Sequence, residues 1–216
     1  MKVLVIGGGQ TGYEISRILM KHDIYVYMVE KDEKTCAQLS EGLSSHIICG
    51  DAKDPQVLES AGIKSADVVI AVTENQSTNI LIGCLAKIYN VKRILVRVRD
   101  PIYIESCKKL GLTEIIDPAL ITAQYLMAYL RGLELVEVIN KIISFADVIS
   151  IKISKDSKYF HKHINEISFP KGTHILVIVR ENKVVLPESN IVVQENDKII
   201  LLHKKTLKES ISKFFL

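Results

Sequence analysis

MKVLVIGGGQTGYEIS, residues 1–16, runs from an unbroken apolar stretch straight into glycines spaced as GxGxxG at Gly7, Gly9 and Gly12. A short β-branched run without polar alternation is the mark of a strand covered on both faces. Glycines at that spacing serve a tight turn, a close approach of backbone to a pyrophosphate, and tight packing of the following helix on the strand. The free N–H groups and positive end of that helix then face the anion. The motif alone is weak, and its surroundings raise it. A second strand, YVYMVE, ends at Glu30, 18 residues beyond Gly12, the spacing at which a carboxylate accepts ribose hydroxyls.

Outward from this unit the alternation continues. Strands are expected at Lys2–Ile6, Ile24–Val29, His46–Cys49, Val68–Val72, Arg93–Val98 and Glu114–Ile116. Helices are expected between them at Thr11–Lys21, Glu33–Glu41, Pro55–Ala61, Asn75–Tyr89, Pro101–Leu110 and Ala119–Arg131. Such alternation predicts an α/β fold, a Rossmann-like doubly wound parallel sheet with helices on both faces. The helix from Ala119 (ALITAQYLMAYL) is apolar nearly all round, so it is expected to pack on another subunit or on the second domain. After about residue 140 the pattern becomes short strands, VISIKI (148–153), HILVIVR (174–180), KVVLP (183–187) and KIILL (198–202), divided by turn-like segments and closed by a helix near Leu207–Phe215. The expected division is 1–131, a nucleotide-binding domain, and 132–216, a small α+β regulatory domain.

Size and composition agree with two compact units: 216 residues, 48% hydrophobic and 25% charged, can bury a real core. The longest uncharged stretch, Pro118–Leu130, has 13 residues, short of the roughly 20 that span a bilayer. The opening residues lack a signal-peptide pattern, so a cytoplasmic location is expected. The net charge of +3 is too mild for a nucleic-acid partner, although residues 1–139 carry 15 basic and 17 acidic residues and the remainder 13 and 8. Cys36, Cys49, Cys84 and Cys107 form no CxxC pair, and are expected to be reduced and mostly buried. His161 and His163 have no third ligand nearby in sequence and read as solvated, so no metal site is expected.

Glu30 also bears on the ligand. A 2′-phosphate about 4 Å from it would cost on the order of 4 kcal/mol per charge pair at an effective dielectric near 20. Ligands with free ribose hydroxyls, NAD(H), ATP or ADP, are therefore favoured over NADP, with Lys31 able to soften the exclusion. Arg97 and Arg99 lie two apart at the end of the fifth strand, which would put both guanidiniums on one face near the crevice. They either contact phosphates or pair with Asp100 or a neighbouring subunit.

The stretches VLVIGGGQTGYEIS (3–16), MVEKD (28–32), GDAKDPQVLESAGIKSADVVIAVTENQSTNILIGCLAK (50–87), RILVRVRDP (93–101) and FPKGTHILVIVRENKVVLPESNIVVQENDKIILL (169–202) resemble the regulator-of-potassium-conductance family, of the TrkA and KtrA type. The resemblance implies that Gly7, Gly8, Gly9, Gln10, Thr11 and Gly12 hold the diphosphate, Glu30 and Lys31 flank the ribose, and Asp51 with Ala52 meets the adenine. It implies that Thr73, Glu74 and Asn75 close the pocket and that Arg97 reaches the phosphates. The family usually has Asp where this chain has Glu30. Some relatives place a metal-binding glutamate where this chain has Ala119. The resemblance further implies dimers assembling to an octameric ring, or a ring with a related chain, at the inner face of the membrane beneath a potassium channel or transporter subunit.

Three functions follow from these readings. One is a regulatory subunit whose nucleotide state gates potassium uptake, which requires two ligands with different affinities for two ring shapes. The second is an NAD-dependent oxidoreductase, which needs a placed acid or base that the sequence does not offer. The third is a sensor for another transporter, with an effector such as a cyclic dinucleotide bound by the C-terminal domain.

Overall fold

The computed structural model describes residues 1–204 apart from Ser44, Asn182 and Ser189, with backbone only at 143 and 144. The expected helix near Leu207–Phe215 lies outside the described residues. The chain divides into two compact units, Met1–Leu126 and Met127–Leu216.

In the first unit six strands form one parallel sheet: β1 (Lys2–Ile6), β2 (Tyr25–Glu30), β3 (His46–Cys49), β4 (Val68–Ala71), β5 (Arg93–Arg97) and β6 (Glu114–Ile116). Their order is β3-β2-β1-β4-β5-β6, so the strand order reverses between β1 and β4, the doubly wound arrangement read from the sequence. The reason β1 is apolar at consecutive positions is visible in the packing. Leu4 and Ile6 point into one core with Leu58, Ile82, Ala86 and Cys107, while Val3 and Val5 point into the other with Val26, Met28 and Leu39. A strand with helices on both sides has no polar face to show.

The helices are α1 (Gln10–Met20), α2 (Glu33–Gly42), α3 (Pro55–Ser60), α4 (Gln76–Ile88), α5 (Pro101–Lys109) and α6 (Pro118–Leu130). Five start on a capping side chain: Asp32 accepts from Thr35 N–H, Asp54 from Gln56, Asn75 from Thr78, Asp100 from Ile102, and Asp117 from Ala119 and Leu120. Each of these satisfies an amide that would otherwise lack a partner. α6 buries none of its side chains, and Leu120, Ile121, Leu126 and Leu130 are exposed.

The second unit begins within α6, and its first complete helix is one the sequence reading missed, α7 (Leu135–Phe145). Its apolar residues Leu135, Val138, Ile139 and Ile142 recur at helical spacing, but β-branched residues disguise it as strand. Four antiparallel strands follow, β7 (Ala146–Lys152), β8 (Thr173–Arg180), β9 (Lys183–Val185) and β10 (Lys198–Lys204), in the order β7-β10-β8-β9. One face carries a core of Ile153, Tyr159, Ile164, Ile178, Val193, Ile199 and Leu201. Asp197, fully buried, is held by both Nε and Nη2 of Arg180 at 2.9 and 2.8 Å.

A candidate nucleotide crevice

At the carboxyl ends of the first unit's strands, beside the reversal between β1 and β4, lies a cavity of about 790 Å³. Ligands of doubly wound sheets bind at such a point. Its lining includes Gly7, Gly9, Gln10, Thr11, Glu30, Lys31, Asp32, Thr35, Gly50, Asp51, Ala52, Lys53, Thr73, Glu74, Asn75 and Arg97. Of the residues expected at a site, Gly8, Gly12 and Arg99 are not on that wall.

The glycine loop explains itself position by position. Gly7 has φ +104°, a conformation that L side chains rarely adopt, and an added Cβ would sit 2.9 Å from the backbone nitrogen of Thr73. A Cβ on Gly12 would overlap the carbonyl oxygen of Gly7, so this buried glycine lets α1 lie against β1. Gly9 differs: a Cβ there would meet nothing within 4 Å, because it faces the crevice. Gly9 is also the residue before α1, and no side chain caps that helix nor is any acidic residue in its first turn. The first amides of α1 thus point toward open space, suiting a phosphate.

Glu30 sits at the end of β2, but its carboxylate is already in use. Oε1 accepts the N–H groups of Lys31 (2.7 Å) and Asp32 (2.9 Å), and Oε2 accepts that of Gly8 (2.5 Å). An ionised carboxylate has about four acceptor positions, so Glu30 both braces the glycine loop and keeps one lone pair for a ligand hydroxyl. The longer arm of glutamate makes that reach to Gly8.

Asp51 follows β3. Its Oδ1 accepts Lys53 N–H at 3.0 Å, and Oδ2 lies 3.5 Å from Lys31 Nζ and 3.4 Å from Lys53 Nζ. The Lys53 backbone hydrogen bond, aided by both ammonium groups, holds its carboxyl below the usual carboxylate range. Asp32 is likewise lowered, chiefly by the Thr35 backbone N–H and then by the Thr35 hydroxyl.

Across the crevice, Asn79 organises the far wall. Fully buried on α4, it accepts from Thr73 N–H (2.9 Å), lies 2.6 Å from the Thr73 hydroxyl, and donates to the carbonyls of Thr73 (3.0 Å) and Arg97 (2.9 Å). The sequence alone gives Asn79 no role, although it lies in the AVTENQSTN part of a stretch that resembles the family. Arg97 lines the cavity, with Nη1 3.4 Å from the Val72 carbonyl and a buried Nε that has no hydrogen-bond partner among the described residues. An unsatisfied guanidinium nitrogen beside a cavity fits an anion. Arg99 corrects the reading of one shared face. β5 ends at Arg97, the strand alternation stops there, and the exposed Arg99 uses its backbone N–H on Gln76 Oε1 at 3.2 Å.

The cysteine expectation also needs correction. Cys36 on α2 and Cys49 at the end of β3 are joined by a disulfide, and Cys49 is exposed; Cys84 and Cys107 are free. Sequence spacing could not reveal the pair, because parallel pairing of β2 with β3 is what brings residues 36 and 49 together. His161 and His163 are both exposed. Among the described residues no helix is long and apolar enough to cross a membrane.

The chain is similar to known proteins. A Trk system potassium uptake protein TrkA homolog of Methanothermobacter thermautotrophicus is 29% identical over 216 residues, 99% of each chain. TrkA homolog 2 of Methanosarcina mazei is 27% identical over 99% of this chain but 48% of its own, so the chain spans about half the length of that relative. Among solved structures, the GsuK channel bound to NAD superposes with a TM-score of 0.52 at 20% identity, over 98% of this chain and 38% of that one. The Kef C-terminal domain of Shewanella denitrificans in its AMP-bound form gives 0.54 at 21% identity, over 67% and 91%. Likeness at those identities concerns the fold. The TrkA-N domain family matches residues 3–118 and the TrkA-C domain family residues 148–215. With its glycine loop, its β1/β4 crevice and its small antiparallel unit in that order, the chain belongs to the TrkA-N domain family, followed by a TrkA-C domain.

Proposed function

We propose that this chain is a regulatory subunit of potassium transport that senses an adenine nucleotide in the crevice of its first unit. The diphosphate lies on the open amides of α1, the ribose against Glu30, the adenine against Asp51 and Ala52, and the outermost phosphate toward Arg97. NAD in the GsuK channel and AMP in the Kef domain share the adenosine phosphate that this path would hold. The ligand set is NAD(H), ATP or ADP.

The observation that carries the reading is the uncapped start of α1 at Gly9, which faces the cavity instead of a side chain. The carboxylates around it support binding over turnover. Glu30, Asp32 and Asp51 each hold backbone N–H groups of the crevice walls, which suits positioning. An NAD-dependent oxidoreductase is the less favoured reading.

Regulation follows if two ligands favour different arrangements of associated copies, since equal affinity shifts nothing. The exposed apolar surface of α6 supports self-association, in our reading as dimers that form an octameric ring or a ring with a related chain. The ring acts on a membrane-embedded potassium channel or transporter subunit, and the chain works in the cytoplasm at the inner face of the membrane.

Calorimetric titration of the purified chain with ADP, ATP, NAD and NADP tests the proposal. Arg97→Ala should weaken ATP binding about tenfold and leave ADP binding within about twofold of the parent, the difference expected for a hydrogen bond to a charged group that only ATP makes. Equal losses would reject the role of Arg97, and no heat with any nucleotide would reject the function.

A further inference from the structure

We infer that Cys36 and Cys49 form a reversible redox clasp across the adenosine end of the crevice, so that the thiol or disulfide state sets how firmly a nucleotide is held. The inference rests on the nucleotide reading for its effect on affinity, though not for the chemistry of the clasp.

The bond joins the two backbone segments that build that end. On one side, Glu30, Lys31, Asp32 and Thr35 line the cavity immediately before Cys36; on the other, Gly50, Asp51 and Lys53 line it immediately after Cys49. Glu30 and Cys49 are register partners between β2 and β3, and Gly50 N–H donates to the Glu30 carbonyl at 2.8 Å. Cutting the disulfide therefore leaves the strands paired but frees α2 from the loop after β3.

The site also accommodates the reduced state. Cys36 Sγ lies 3.4 Å from the Glu30 carbonyl oxygen, so a Cys36 thiol has an acceptor ready when the bond is absent. The two sulfurs differ in access: Cys49 is exposed and Cys36 is 3% exposed. That asymmetry suits thiol–disulfide exchange with a small-molecule disulfide, RSSR. The Cys49 thiolate attacks one sulfur of RSSR, forming a mixed disulfide and releasing RS⁻. The Cys36 thiolate then attacks the Cys49 sulfur, closing the intramolecular bond and releasing the second RS⁻. The protein's two thiols are oxidised by two electrons and lose two protons, and RSSR is reduced to two RSH. In the cytoplasm, where the proposed function places this chain, thiols are kept reduced, and a bond bordering a binding site there is of the responsive kind rather than a structural staple.

The oxidised form holds both walls in place before the ligand arrives, so binding loses less conformational freedom. ADP affinity is expected to be about three- to tenfold higher than in the reduced form.

The test uses the full chain equilibrated with oxidised glutathione or with dithiothreitol. Peptide mapping after alkylation reads the bond, ADP calorimetry reads affinity, and hydrogen exchange reads residues 31–36 and 50–53. The expected result is a Cys36–Cys49 linked peptide that forms and is cut reversibly. Oxidation should bring tighter ADP binding and slower exchange at both segments, and Cys49→Ser should ignore either reagent while binding ADP like the reduced chain. No linked peptide, a bond that dithiothreitol leaves intact in the folded chain, or equal affinity and equal exchange in both states would overturn the clasp. If neither form binds ADP, ATP or NAD, the nucleotide reading falls. Exchange at the two segments then decides the clasp alone, slowing on oxidation supporting it and no change refuting it.

Discussion

Asn79 has no solvent contact and spends both faces of its amide on the wall of the crevice, so its loss strands several groups at once. Asn79→Ala leaves Thr73 N–H and the carbonyls of Thr73 and Arg97 without their partner. The expected cost is about 2–4 kcal/mol, read as a lowered urea midpoint with an unchanged slope. Asn79→Asp should do no better, because a carboxylate would face two carbonyls in place of an amine. This residue marks a limit of reading from sequence. An Asn six positions after Thr73 belongs to the stretch that carries the family resemblance, but it has no readable role until the fold brings Arg97, 18 residues later, onto the same amide. Glu30 was legible as a ribose acid from its place after β2, but its bond to Gly8 was not, since side-chain length alone does not say what the extra methylene reaches. Arg97 and Arg99 looked equivalent in sequence and differ only because β5 stops between them.

At the scale of elements, the glycine loop makes a paired prediction. Gly12→Ala forces a methyl group into the carbonyl oxygen of Gly7 and must push α1 off β1, so the apparent melting temperature should fall. Gly9 has φ −63°, allowed to any residue, and its methyl would enter only the cavity. Gly9→Ala should therefore melt within about 1 kcal/mol of the parent. It should still bind ADP at least tenfold more weakly in calorimetry, since the methyl fills the space over the helix amides, the equivalent of about 1.4 kcal/mol. A Gly9→Ala chain that binds as well as the parent would show that the phosphate does not lie there. Strands β1–β6 and helices α1–α6 were legible to within about two residues, because runs buried on both faces and amphipathic helices leave opposite periodic traces. α7 left a weaker one. Its Val and Ile residues favour strands by composition, and only their three- and four-residue spacing, together with packing on β7, makes a helix there.

For the molecule as a whole, acid stability follows from the lowered carboxyls of Asp32, Asp51, Glu59 and Glu137, against the raised one of Glu134. The lowered four set the sign. Each contributes stability above its unfolded value and loses it as pH falls through its lower folded value. The thermal midpoint should thus stay level from pH 7 to about 5 and descend below about 4. A midpoint already falling at pH 6 would point to other groups. The two-unit plan and the strand order were open to inference, since regular alternation admits few right-handed parallel topologies. The disulfide was not, because it depends on register. Parallel pairing has another consequence, one that begins at the ribosome. Val3 pairs with Val26 and with Val68, whereas Arg180 and Lys183 are neighbours both in the chain and in their sheet. During synthesis the apolar β1 waits with one edge bare until β4 has emerged, some sixty residues later. A nascent chain stalled in that interval presents Val3–Ile6 as a template for strands of other molecules, so holdase chaperones should crosslink to it there and release it once residue 72 has cleared the exit tunnel.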